Sequence, residues 1–241
     1  SALSGVQQAR YQRKYDGGAC VYIRVRRVNE CAAGEQCGPS AALLSHPVSQ
    51  VMRYDAIIIG GGLAGCSAAA QLARYGHEVL LLEKATYPRH KLCGEFLSPE
   101  VQSSLRTLDV LDDVSALGAA PMTRARLTGP GGTAVEHALP GTALGLSRYR
   151  LDELLFERAC AWGADGRTGT KVTGVTGALD EGFAVTAGGE TIKGRLVLGA
   201  YGRRGVLDRT LERPFLQQHS PYVAFKAHYT GDLDAVAETI E

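Results

Sequence analysis

No stretch of this chain approaches the roughly 20 consecutive apolar residues of a membrane-spanning helix, and its N-terminal residues lack the charged, apolar, small-residue order of a signal peptide. The six cysteines (Cys20, Cys31, Cys37, Cys66, Cys93 and Cys160) include no Cys-x-x-Cys pair. That argues against the disulfide framework of a small secreted domain and against a zinc finger, so a reducing, cytoplasmic setting is expected. Neither sign of charge is in excess: 26 Lys and Arg stand against 25 Asp and Glu, a net charge of +1. No field exists to steer nucleic acid or an anionic membrane toward the protein, although peripheral membrane contact stays open. Aromatic residues reach only 7% and never interleave with basic ones as single-strand binding requires. The six histidines show no His-Glu-x-x-His spacing, so no metal site is expected. No serine sits in a Gly-x-Ser-x-Gly elbow, so a hydrolase nucleophile is not supported. What the chain has in plenty is glycine, 30 in 241 residues, and function is sought there.

Charge divides the chain near residue 51. Residues 1–51 carry six Lys/Arg and three Asp/Glu, net +3, which leaves 20 − 22 = −2 for the rest. Apart from Val21–Val25 the leading segment shows no sustained period of 2 or 3.6, so little independent structure is expected. The chain opens on Ser1, while Met52 stands directly before a strong strand. Residues 1–51 are therefore expected to be an N-terminal extension, either non-native read-through sequence or a basic regulatory arm. Residues 52–241 form the working part.

From Arg53 onward the pattern is β-α-β: an apolar strand Tyr54–Ile59, a glycine turn 60–62, an Ala-rich helix Leu63–Tyr75 stopped by Gly76, and a second strand Glu78–Leu82. A crossover of this length joins parallel strands, so the fold class is α/β. Further along, Ser98-Pro99-Glu100 reads as cap, first-turn proline and first-turn acid of a helix running toward Leu108. Pro130-Gly131-Gly132 predicts a hairpin of Arg124–Thr128 with Thr133–His137. Arg150–Trp162 has the period of an amphipathic helix. Strands near Lys171–Val175, Phe183–Thr186 and Arg195–Leu198 make a β-meander, with a Gly188-Gly189 turn, and Val223–Tyr229 alternates like a half-buried strand.

The first unit carries Gly60-x-Gly62-x-x-Gly65, and Glu83 closes its second strand about 20 residues later. Gly60 allows the tight exit from the strand, Gly62 leaves bare backbone for a pyrophosphate, and Gly65 lets the helix sit close. Free N–H groups at the helix start, over Leu63 and Ala64, supply donors and the positive dipole end. Glu83 is placed to accept ribose hydroxyls and to repel a 2′-phosphate, which argues against NADP here. On this motif alone the nucleotide is NAD or FAD, and the bland alternative is a glycine turn that merely packs. The polar, cationic stretch Pro88-Arg89-His90-Lys91-Leu92-Cys93-Gly94-Glu95 then suits a loop folded over an anionic, planar cofactor.

On these residues, together with Phe96-Leu97-Ser98-Pro99, Ser147-Arg148-Tyr149-Arg150-Leu151-Asp152 and Leu198-Gly199-Ala200-Tyr201-Gly202-Arg203, the chain resembles the FAD-dependent oxidoreductases that include geranylgeranyl reductases and aromatic-hydroxylase-type flavin monooxygenases. The likeness runs from about Tyr54 to about Tyr229. It implies a Rossmann-like FAD-binding domain of the glutathione-reductase-like kind, with a β-meander and the start of a substrate-domain sheet. It also implies non-covalent FAD, the ADP half on the first unit and the flavin under the 88–95 loop. The cofactor-binding set is then Gly60, Gly62, Leu63, Ala64, Gly65, Glu83, Lys84, Arg89, Cys93, Gly94, Arg148, Val172, Ala200 and Gly202. Arg148 would lie beside the flavin or ribityl chain, or else form a surface salt bridge with Asp152. Val172 would turn its backbone to the adenine, and Cys93 would pack under the ring rather than do thiol chemistry.

Two departures shape the expected function. Tyr201-Gly202 stands where the hydroxylases carry Asp-Gly, which speaks against their handling of NAD(P)H, although NAD(P)H stays open as electron donor. These families place a Gly-Asp motif well downstream, beyond the point where this sequence stops at Glu241, so a C-terminal part is expected to be missing. The expected activity is hydride exchange between flavin and a small apolar, unsaturated substrate. The alternatives are a monooxygenase acting on an aromatic ring and an inactive nucleotide-binding fragment. No catalytic acid or base is assigned.

Overall fold

Tyr54–Ile59 (β1) is apolar on both faces because both faces are covered, as a central parallel strand requires. In the computed structural model, which describes residues 53–202, 205–217, 223–228 and 238–241, Ile58 looks to one core and Ile57 and Ile59 to another. The expected extension over residues 1–51 lies outside the described residues. Leu63–Arg74 (α1) follows, then Val79–Leu82 (β2), whose register Ala56↔Val79 to Ile59↔Leu82 is parallel to β1. On α1 the buried residues are Gly65, Cys66, Ala69, Ala70 and Ala73, a small-residue stripe at helical spacing that lets neighbouring backbone come close.

Phe96–Leu97 (β3), Val101–Thr107 (α2) and Leu111–Ala116 (α3) lead to the long hairpin Ala120–Thr128 (β4) and Ala134–Gly145 (β5). Arg148–Ala161 (α4) packs on α1 through Leu151, Leu155 and Ala159. Asp165–Arg167 (β6), Val172–Ala178 (β7), Gly182–Ala187 (β8), Glu190–Gly199 (β9), Val206–Thr210 (α5) and Thr239–Ile240 (β10) complete the order. Six strands form one sheet in the order β6-β2-β1-β9-β8-β7, parallel from β6 to β9 and antiparallel beyond. The second sheet has the order β10-β4-β5-β3. The α/β class and the meander are those expected from sequence.

Several local expectations are corrected. Helix α2 starts at Val101 and not at Pro99 after a Ser98 cap: the Ser98 carbonyl accepts the Val101 N–H at 3.0 Å, while the Ser98 hydroxyl serves the Glu100 carboxylate instead of capping. Helix α4 starts two residues early, because the Ser147 hydroxyl accepts the Tyr149 N–H at 3.2 Å and caps it there. The hairpin is longer than its turn suggested. Pro140 is tolerated within β5 because it falls where the register slips between Met122 and Arg124, so no ladder bond is lost to it. Residues 223–228 form no strand; Val223 and Phe225 are exposed, and no described strand gives their backbone a ladder partner. Tyr229 lies outside the described residues.

Candidate cofactor-binding site

The C-terminal ends of β1 and β9 lie side by side, joined onward by the Ala200 N–H to Ile59 carbonyl bond of 2.8 Å. The next strand in sequence, β2, lies on one side of β1 and the late strand β9 on the other, so the strand order reverses at β1 and a crevice opens at this edge, the usual ligand position in such sheets. Gly60 turns there with φ +110°, and a Cβ on it would stand 2.5 Å from the Ala200 carbonyl oxygen. A Cβ on Gly65 would stand 1.8 Å from the Gly60 carbonyl oxygen. These two glycines are packing requirements. Gly62 differs: its missing Cβ faces open space, bounded only by the Arg148 Nη2 at 3.7 Å. Gly62 is also the N-cap of α1, with no side-chain cap and no acid in the first turn. The N–H groups at Leu63, Ala64 and Gly65 are thus left for a ligand to satisfy.

Buried charge surrounds this loop. Glu83 follows β2 and accepts the Gly61 N–H at 2.7 Å on one oxygen and the Ala85 N–H at 2.9 Å on the other. Oε1 keeps a second lone pair, while Oε2 also accepts from Arg89 Nη2. Tyr87 donates its hydroxyl to the Gly61 carbonyl, and Arg89 Nη2 reaches the same carbonyl at 3.1 Å. Arg89 Nη2 also stands 3.4 Å from Glu83 and 3.3 Å from Asp152. Arg89 Nε is buried and has no hydrogen-bond partner among the described residues. Arg148 forks onto Asp152 with Nε–Oδ1 at 2.6 Å and Nη2–Oδ2 at 3.0 Å. The salt bridge expected at the surface is therefore internal, for the Asp152 side chain is 0% exposed. Burial would lower the Arg148 pKa, but Asp152 and then Cys93 outweigh it and hold it above its ordinary value. Cys66, buried under the loop, is pushed up to about 12 chiefly by burial and acts as packing.

Glu95 organises the far side of the 88–95 loop. It adopts φ +59°, and its carboxylate accepts from Lys226 Nζ at 2.6 Å, Ser147 Oγ at 2.7 Å, the Arg148 N–H at 2.9 Å and His228 Nε2 at 3.1 Å. Desolvation would raise its pKa, but the bonds from Lys226, Ser147, Arg148 and His228 win and lower it to about 2. Outside this staple lies a shallow cleft of about 300 Å³ between His90, Lys91, Leu92, Lys226 and His228.

The structure brings Gly60, Gly62, Leu63, Ala64, Gly65, Glu83, Arg89, Cys93, Arg148 and Ala200 to one crevice or its rim. Lys84, Gly94 and Gly202 are exposed. Val172 opens β7, paired to Ala187, just after Thr170, whose N–H bonds the Glu83 carbonyl at 2.9 Å. Tyr201 turns its phenol away from the crevice, donating to Asp208 at 3.0 Å, and Asp208 also accepts the Gly205 N–H. Sequence reasoning missed Tyr87, Glu95 and Asp208 as structural parts, and saw Asp152 only as a surface partner. The i,i+4 spacing of Arg148 and Asp152 was the one available signal; Glu95 and Lys226 are 131 positions apart.

The family model that matches residues 53–235 is described as an FAD binding domain, and the chain belongs to that family, within the FAD-dependent oxidoreductases. It is 31% identical over 191 residues to a menaquinone reductase of Mycolicibacterium smegmatis, covering 73% of this chain and 44% of that one. It is 39% identical over 120 residues to a geranylgeranyl diphosphate reductase of Rhodobacter capsulatus, covering 49% and 29%. The chain thus spans less than half the length of either relative. Among solved structures it is similar to CmlS, a flavin-dependent halogenase, with TM-score 0.58, 28% identity, and 68% and 32% of the two chains covered. The crevice fits FAD: bare backbone, uncapped helix N–H groups and an unpartnered guanidinium nitrogen are the complement of a diphosphate. Among the described residues no helix is long and apolar enough to cross a membrane.

Proposed function

We propose that the chain is the cofactor-binding part of a reductase-type FAD-dependent oxidoreductase that acts on a small apolar, unsaturated substrate. The observation that carries the cofactor-binding half of this reading is the buried Arg89 Nε, without a partner among the described residues, beside Arg148, both set over Gly61 and Gly62 at the uncapped end of α1. Bound flavin supplies hydride exchange, and the protein orients it. The N–H groups of Leu63, Ala64 and Gly65, with Arg89 and Arg148, hold the diphosphate, while the remaining lone pair of Glu83 Oε1 takes a ribose hydroxyl. Cys93 and the rest of the 88–95 loop cover the ring, braced by Glu95. Tyr201, its phenol turned away from the crevice, stands where the hydroxylases carry a carboxylate, which favours a reductase over a monooxygenase. Two relatives named as reductases support the same choice. NAD(P)H is one candidate electron donor.

Purified chain titrated with FAD is expected to retain it and to absorb at about 450 nm. The dithionite-reduced protein is expected to be reoxidised anaerobically by a quinone or a polyprenyl acceptor. Gly62→Val leaves the fold intact, because its Cβ meets open space, but removes FAD retention by filling the seat of the diphosphate. A colourless protein that ignores added FAD, or a Gly62→Val variant with unchanged flavin content, would falsify the placement. Retained flavin with no transfer to either acceptor removes the reductase reading alone.

A further inference from the structure

We infer that Asp152 is a positioning residue whose carboxylate locks Arg148 and Arg89 side by side over the Gly61–Gly62 peptide, so that the cofactor diphosphate meets two preset guanidiniums. The inference rests on the FAD reading above. Both Asp152 oxygens are committed: Oδ1 takes Arg148 Nε at 2.6 Å, and Oδ2 takes Arg148 Nη2 at 3.0 Å and Arg89 Nη2 at 3.3 Å. Arg148 comes from the same helix face, four residues back, and Arg89 from the loop after β2. Arg89 is also held by Glu83 and the Gly61 carbonyl, but the ion pair that keeps Arg148 beside it against like-charge repulsion is the one with Asp152.

The charge count shows why placement outweighs attraction. Glu83 and Asp152 contribute −2, Arg89 and Arg148 contribute +2, and the cluster is neutral. A neutral cluster does not trap an anion through its net field. It binds one through donors aimed at the right places, here the Arg89 Nε that lacks a partner and the Arg148 edge facing Gly62. Simple attraction and positioning therefore predict opposite signs for Asp152→Asn, which makes the site more positive by one charge. Attraction alone tightens binding of a diphosphate; loss of positioning loosens it.

The test measures dissociation constants of FAD, ADP and adenosine for the wild-type chain, Asp152→Asn and Asp152→Glu, by flavin fluorescence and calorimetry. Adenosine shares the nucleoside seat but lacks the diphosphate, so a merely structural defect weakens it in step with ADP. Asp152→Asn is expected to weaken FAD and ADP by about tenfold or more while adenosine changes by less than about threefold. Asp152→Glu keeps the charge but displaces the fork by a methylene, and an intermediate loss confined to FAD and ADP is expected. It carries the test if the asparagine variant does not fold. Equal or tighter ADP binding in Asp152→Asn, a parallel fall of adenosine, or wild-type ADP binding in Asp152→Glu overturns the inference and leaves the FAD reading standing. A wild-type chain that binds neither FAD nor ADP overturns both.

Discussion

The clusters around Asp152 and Asp165 are built from the same parts, an aspartate gripped by an arginine with a tyrosine hydroxyl close by, yet they do different things. Asp165 accepts Tyr54 Oη at 2.5 Å and Arg167 Nη2 at 2.9 Å, and Arg167 extends to Glu190 at 3.6 Å. Its side chain is 39% exposed, and every group in the cluster has a partner within the cluster or in solvent. Asp152 is fully enclosed, and its cluster leaves one buried donor, Arg89 Nε, with no acceptor among the described residues. The first arrangement closes on itself. The second lacks an acceptor among the described residues, and an unsatisfied buried donor costs free energy until one arrives.

The strongest way to break the contrast is to remove the packing beneath the Asp152 side. Gly65→Ala puts a methyl 1.8 Å from the Gly60 carbonyl oxygen, so backbone must move. A stability loss of more than about 3 kcal/mol is expected in denaturant titration, with FAD binding lost as well. A chain as stable as wild type would show that the loop is looser than its geometry. Next come the two aspartates themselves. Asp152→Asn uncovers a buried guanidinium pair, and unfolding of the cofactor-free protein should show a loss of about 3 kcal/mol. Asp165→Asn, partly exposed and screened, should lose about 1 kcal/mol or less and keep FAD affinity. Equal losses would erase the distinction drawn here.

A smaller effect concerns Glu95, which ties the loop to α4. Its folded pKa of about 2 lies below the ordinary 4.5, so the unfolded chain takes up the proton first as pH falls. Its stabilisation is complete above about 4.5 and disappears as pH drops through about 2. Melting temperature against pH should fall less steeply over that window in Glu95→Gln than in wild type. Parallel profiles would mean that the bonds from Lys226, Ser147, Arg148 and His228 do not hold in solution.

Legibility from sequence followed the range of the interactions. The β1–loop–α1–β2 unit was readable because strand period, helix period, glycine spacing and terminal acid all lie within about 30 residues. Two helix starts were misjudged by two residues each, Val101 instead of Pro99 and Arg148 instead of Arg150, because a cap depends on which backbone N–H the hydroxyl meets, and a neighbouring carboxylate diverted Ser98. The alternation of Val223–Tyr229 suggested a strand, but alternation records only which side chains would share a face. A strand also needs a neighbour for its backbone, and residues 223–228 have none among the described strands.

Sequence by itself determined that a phosphate-type loop opens this domain, since a bare glycine backbone between a buried strand and a small-residue helix is a local property. Tertiary structure decided what faces that loop. Only the closure of α4 over α1 carries Asp152 and Arg148 to Arg89, and only the return of residues 226 and 228 gives Glu95 its partners Lys226 and His228. Ion pairs form between whichever charges the folded chain brings within reach, and that distance is set by packing rather than by order along the chain.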